Sequence, residues 1–354
     1  MPRHALKYPI PTFAIAIAAA VSLSSCGAGT SSSGAGASGA ASSGNAAGVV
    51  ALPQYHVSVF AKAASGYSNP DSLALDGQNV FVAYQNHTAK DGSDTKTSTV
   101  VQYDLSGKVV KTFDVSGHND GLKVDPQTHL VWAMSNEDAS PKLTTINPST
   151  GATKVYTFGK TAHGGGFDDI VFMGGKTYLS ASNPTLKGNV NPAPAVVSAT
   201  LGAGTVTTKP VLMGDAKAKD AITGSPVTIN AVDPDSMFVN PAGDLTVDNQ
   251  AGTALISIHN PGPGQTVTQF TVGTQVDDTV YPTASSGRLL VADTKGGAIY
   301  AITGALDPKT PLTATPNDSG VNGFVGKIDT KTGFITPVVI GLVSPHGMVY
   351  VPAS

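Results

Sequence analysis

Cysteine is almost missing from this chain. Cys26 is the one thiol among 354 residues, so no internal disulfide can form. Arginine is nearly as scarce: Arg3 lies at the extreme N-terminus and Arg288 stands alone in the body, which excludes a clustered bidentate clamp for phosphate or carboxylate groups. Charged residues make up 13% of the chain and the formal net charge is −3, so nucleic acid is not an expected partner. Trp132 is the only tryptophan and Glu137 the only glutamate. There is no phosphate-cradling glycine loop with lysine and no Gly-x-Ser-x-Gly elbow between a strand and a helix. His163-Gly164-Gly165-Gly166 lacks a nucleophile beside it and reads as a loop.

What is present begins with a leader. Arg3, His4 and Lys7 precede an apolar run from about Phe13 to Leu23, too short to span a bilayer and right for a secretory signal over 1–25. It ends in Leu23-Ser24-Ser25-Cys26-Gly27, which resembles the lipobox of bacterial lipoproteins. That resemblance implies acylation of Cys26 and anchoring in the cell envelope. Because Gly27 is not the aspartate of inner-membrane retention, it also implies outer-membrane sorting with a periplasm-facing body in a diderm host. Residues 26–48 are almost wholly Gly, Ala and Ser. They form a tether with an end-to-end distance of about 25 Å, and the folded domain is expected over 49–354.

That domain repeats a phrase. A polar Asn/Asp cluster opens a short strand at Asn69-Pro70-Asp71, His118-Asn119-Asp120, Asp168-Asp169, Asp233-Pro234-Asp235 and Asp277-Asp278, and in shortened form at Ser344-Pro345-His346. β-forming segments follow, among them Asn79–Tyr84, Leu130–Met134 and Arg288–Ala292. Hairpins then turn at Leu105-Ser106-Gly107, Pro148-Ser149-Thr150-Gly151 and Thr330-Lys331-Thr332-Gly333. Four short antiparallel strands per repeat is the plan of a propeller blade. The expectation is an all-β propeller of six blades. Tyr55–Phe60 supplies the last strand of a blade and Gly347–Val351 its first, so both chain ends share one blade and close the ring.

Over roughly Gln54 to Pro352 the chain resembles the NHL-repeat and gluconolactonase-like superfamily of six-bladed propellers, the nearest piece being Leu289-Leu290-Val291-Ala292-Asp293-Thr294. The resemblance implies one divalent ion, usually calcium, at the channel mouth. The family's glutamate ligand starts a first strand, whereas Glu137 follows a second strand. A quinone-dependent propeller would need a recurrent tryptophan motif that Trp132 alone cannot supply.

Second-strand ends should converge at the channel mouth. They offer Asn86, Asn136, Asn183, Asn249 and Asp293 as oxygen ligands for Ca²⁺ or another divalent cation, with Asp293 as a general base. The same residue types also simply end strands in turns. The strand openings supply another ring, Asp71, His118, Asp120, Asp168, Asp235, Asp278 and His346, whose aspartates could instead bond backbone amides between blades. Two function classes stand: a membrane-tethered binding or scaffold module presenting loops such as Gln85–Ser98 and Asn183–Pro194 to a protein or small molecule, and a metal-dependent hydrolase of lactones or related esters.

Overall fold

The computed structural model describes residues 48–63, 66–317, 320 and 323–353. The leader and the tether through residue 47, with Cys26, lie outside them. Among the described residues every regular element is a β-strand, and the fold is a β-propeller.

β1 (Val50–Ala51) and β2 (Tyr55–Lys62) lead into a four-stranded antiparallel sheet made of β3 (Pro70–Asp76), β4 (Asn79–Tyr84), β5 (Thr97–Asp104) and β6 (Val109–Ser116). The same up-and-down run recurs in β7 (Asn119–Val124), β8 (Val131–Ser135), β9 (Lys142–Ile146) and β10 (Thr153–Phe158). It recurs again in β11 (Ile170–Met173), β12 (Lys176–Ser180), β13 (Pro194–Leu201) and β14 (Thr205–Met213). Two parallel residue pairs between β10 and β14 weld these last two runs at their outer edges. A hairpin of β15 (Lys217–Asp220) and β16 (Pro226–Thr228) then extends the outer side of β17 (Pro234–Val239), β18 (Leu245–Asn249), β19 (Ala254–His259) and β20 (Thr266–Thr271).

The remaining strands interleave. They are β21 (Thr279–Val280), β22 (Gly287–Asp293), β23 (Ala298–Gly304), β24 (Leu312–Thr315), β25 (Gly323–Ile328), β26 (Ile335–Leu342) and β27 (Pro345–Pro352). One sheet runs β21-β24-β25-β26 and carries β1 on its outer edge, and the other runs β27-β22-β23-β2. The chain ends therefore share a blade, with the C-terminal strand innermost and the N-terminal strand outermost. Arg288–Ala292 does not continue the repeat opened at Val276–Val280. It pairs with β27, as in Leu290 opposite Val349, and the second strand of the β21 sheet comes from the segment after Ala301. Alternation and turn residues mark where strands lie but not which strand each will pair with.

The sheets pack face to face in series. Leu73, Val80, Val82 and Tyr103 of one blade meet Leu290, Ala292 and Ile299 of the next, all buried, while Phe81, Ala83 and Val100 on the opposite face meet Leu122, Val131 and Ile146. A central strand such as Asn79–Tyr84 is buried on both faces, which explains its unbroken apolar run. Each such Val or Leu contributes about 1.5–3 kcal/mol by leaving water. The hairpin turns fall where the sequence places them, with Gly107 at φ 85° and Gly333 at φ 74°, a region that glycine enters without strain.

Candidate functional site

β3, β7, β11, β17, β21 and β27 together line a cavity of about 360 Å³, the central channel, with Lys123 and Asp278 among apolar neighbours. At their N-terminal ends the pairing breaks in a recurring way. Register shifts fall between Pro70 and Leu73, between Asn119 and Leu122, between Pro234 and Met237, and on β27 between Pro345 and Met348. Such bulges free a residue from the ladder and re-aim its side chain. They carry Asp71, Asp120, Asp235 and His346, each the second residue of its strand. Asp168 and Asp277 sit two residues before β11 and β21. All six line one cavity of about 240 Å³ at the channel mouth, together with Glu137, Lys90, Gln85 and Gln250.

Carboxyl groups this close cannot all ionise. Burial, reinforced by neighbouring carboxylates, holds Asp71, Asp168 and Asp235 well above the usual range. Burial and the charge of Asp120 push Glu137 up to about 8, against the pull of Lys90. Asp120 goes the other way. Burial opposes its charge, but a hydrogen bond from Asp71 and the nearby cations hold it below its ordinary value, and Gln85 Nε2 donates to it at 3.1 Å. Lys90 Nζ lies 2.5 Å from Glu137 Oε1. Burial works against the Lys90 ammonium, and the acidic neighbours more than offset this, raising its pKa.

His118, Asp120 and Glu137 are all buried, and each offers a ligand atom within 4.8 Å of the others. His118 Nδ1 faces the carbonyl oxygen of Thr88 at 2.9 Å, so it is the ring nitrogen that donates. In the neutral ring this leaves Nε2 with a lone pair, and Nε2 is buried with no hydrogen-bond partner among the described residues. A histidine oriented through one nitrogen and two convergent carboxyls suit a divalent cation. The trio is a possible metal-binding site.

Deeper along the channel, Lys123 Nζ pairs with Asp169 at 2.9 Å. Asp169 Oδ2 also accepts the Met237 N–H at 2.8 Å, and Asp278 Oδ2 accepts that of Met348 at 2.6 Å. These two aspartates tie one blade to another. Asp278 is therefore not at the mouth, where its neighbour Asp277 stands instead.

The second-strand ends hold loops. Asn86 Oδ1 accepts the Ser68 N–H at 3.0 Å, Asn136 Oδ1 that of His118 at 3.0 Å, and Asn249 Oδ1 that of Asp233 at 3.1 Å. Asp293 accepts from Gly296, Val343 and Ser344 at 3.1, 3.0 and 2.7 Å. Apart from Gly296, which lies in the turn between β22 and β23, the amides belong to the loop leading into the inner strand of the same blade. Asn86, Asn136 and Asn183 adopt left-handed φ of 54°, 67° and 47°, which asparagine tolerates better than most residues. Asn183 is exposed and donates to Asp138 O at 3.4 Å. None of Asn86, Asn136, Asn183, Asn249 and Asp293 lines the acidic cavity. Their sequence neighbours Gln85, Glu137, Gln250 and Thr294 do. Along a strand one residue is the difference between one face and the other.

No family model matches the sequence, and no curated protein matches it. Solved structures resemble the chain at low identity. A protein of unknown function from Bacteroides caccae is 9% identical, covers 82% of this chain and 89% of its own, and superposes with a TM-score of 0.47. A protein from Lactobacillus plantarum is 12% identical over 80% and 89%, with a TM-score of 0.46. Virginiamycin B lyase from Staphylococcus aureus is 11% identical over 84% and 100%, with a TM-score of 0.45. No residue role passes from these proteins to this chain.

Proposed function

We propose that this chain is a cell-envelope lipoprotein, acylated at Cys26, whose tethered six-bladed propeller binds a small polar ligand at its acidic mouth with a divalent cation held by His118, Asp120 and Glu137. The outer membrane, facing the periplasm, is the proposed location in a diderm host. The observation that carries the ligand site is the buried His118 Nε2, in a trio with two carboxyl groups and without a donor among the described residues. Calcium or magnesium would draw on the carboxyl oxygens, and the imidazole nitrogen favours a transition ion. Metal analysis and calorimetry on the purified protein test the site. One cation per chain, lost in His118→Ala and Glu137→Gln, supports it, and a metal-free chain that ignores added calcium, manganese and zinc removes it. Membrane fractionation tests the anchor, since Cys26→Ala should move the protein to the soluble phase.

A second reading, hydrolysis of a lactone or related ester, draws on His346. Its Nδ1 lies 2.7 Å from Asp277 Oδ2 inside the same cavity, the arrangement of an oriented proton acceptor. Asp293 is less suited to that role, because both of its oxygens hold backbone amides. Lactone turnover lost in His346→Ala with cation binding intact would favour this reading over simple binding.

A further inference from the structure

Asp120 and Glu137 of the cation trio account for only part of the mouth. Asp71, Asp168, Asp235 and Asp277 form its other side. We propose that this side is a subsite for the primary ammonium group of a small, hydroxylated amine. The inference rests on reading the mouth as a ligand site, and not on whether the His118 site holds a metal.

Asp168 is the starting point. It is 6% exposed and lines the cavity, yet its carboxyl accepts no hydrogen bond and joins no ion pair from a described residue. Its oxygens therefore open to the cavity, where water or a guest can donate to them. Asp235, in the same cavity, receives only the Ser236 hydroxyl at 3.2 Å. Asp277 differs: Ser236 Oγ, Gln250 Nε2, His346 Nδ1 and the Asp278 N–H all converge on its two oxygens. Those donors fix its orientation, so the subsite has one braced carboxyl beside two whose oxygens are left to accept.

The spacing selects the guest. Among the described residues, His118, Asp120 and Glu137 are the one trio of His, Cys, Asp and Glu side chains whose ligand atoms fall within 4.8 Å of one another. The four aspartates are too widely spread to share a single metal ion at roughly 2.0–2.6 Å. An alkylammonium donates over about 2.7–3.2 Å in three directions and spans a wider set of oxygens. The chain already shows the same chemistry at the rim, where the Lys90 ammonium rests on Glu137. Besides Lys90, Lys295 and His346, the remaining lining is amide and hydroxyl, as in Gln85, Gln250, Ser236 and Thr294, which suits hydroxyl groups on the guest. A volume of about 240 Å³ admits a monosaccharide-sized molecule.

Calorimetry with glucosamine and glucose, run on the whole protein in chelator and again with saturating calcium, isolates the ammonium. Glucosamine is expected to bind at least tenfold more tightly than glucose in both conditions. Asp168→Asn and Asp235→Asn should each weaken glucosamine at least tenfold while leaving the thermal midpoint unchanged or higher, since each keeps the shape of a carboxyl whose ionisation burial already opposes. Calcium titrated into the same protein without sugar reads the His118 site separately. Equal affinity for the two sugars, no binding of either at tens of millimolar, or unchanged glucosamine affinity in both asparagine variants would each overturn the subsite. Failure of the His118 cation site alone would leave it standing.

Discussion

The carbonyl oxygen of Thr88 takes the Nδ1 proton of His118 at 2.9 Å, and that contact leaves Nε2 as the ring nitrogen without a described partner. The loop between β4 and β5 thereby acts on a residue thirty positions away. Its own shape is held by Thr88 Oγ1 donating to Gln85 O at 2.7 Å.

A cation bound at His118 Nε2 should stabilise the folded protein by mass action. At a hundredfold excess over its dissociation constant the gain is about 2.7 kcal/mol, read as a rise in the thermal midpoint on adding calcium, manganese or zinc. His118→Ala should abolish that rise, and a rise that survives would place the ion elsewhere.

Without a cation, stability should fall as pH rises. Glu137 is pushed up to about 8 and Asp278 to about 7, each by burial first, so both keep their protons in the fold at pH values where the unfolded chain has released them. The unfolded state then binds fewer protons, and stability declines from about pH 4.5 toward 8 before levelling. Asp71, Asp168, Asp235 and Asp248 act in the same direction, and Asp120 opposes them. Denaturation midpoints in chelator should be higher at pH 5 than at pH 8, with added cation closing the gap. A higher midpoint at pH 8 in chelator contradicts this.

Asp293→Ala should be among the most damaging single changes, because three backbone amides lose their acceptor together. A loss of about 3 kcal/mol or more in chemical denaturation is expected. Asn86→Ala, at a half-buried site, should cost only about 1 kcal/mol. If Asp293→Ala were instead well folded but inactive, Asp293 would be chemical in role rather than structural.

Gly347→Ala should also destabilise, here through contact. A Cβ at Gly347 would run into the Asp71 carbonyl and the Ser72 backbone of the neighbouring inner strand, and overpacking of this kind costs about 1–3 kcal/mol. Gly77→Ala meets open space but must hold φ at 57°, for about 1 kcal/mol. Urea midpoints of the two variants would rank them, and equal midpoints would mean that the strands can shift apart.

Much of this architecture is legible in the residues. Turn chemistry at Gly107, Gly151 and Gly333 places three hairpins, and the strand-opening clusters foretell that Asp71, Asp120, Asp168, Asp235 and His346 converge. The pairing of Leu289–Ala292 with β27 is not legible, because alternation records which face a residue uses and not its partner strand. The roles of Asn136 and Glu137 are also hard to separate from sequence. Both follow β8, yet the left-handed turn at Asn136 sends its side-chain oxygen back to the His118 N–H and leaves Glu137 to face the mouth. A bulge at Asp120 then completes a trio that no spacing rule describes.

The interleaving of β21 to β27 bears on how the ring resists being opened. Because β27 lies innermost and β2 outermost in one sheet, with β22 and β23 between them, neither chain end can be peeled away to release the other. Contacts this distant in sequence form late and slowly, and once formed they make unfolding a concerted event. The expected mark is persistence over time, a long half-life against proteases, more than an unusual equilibrium stability.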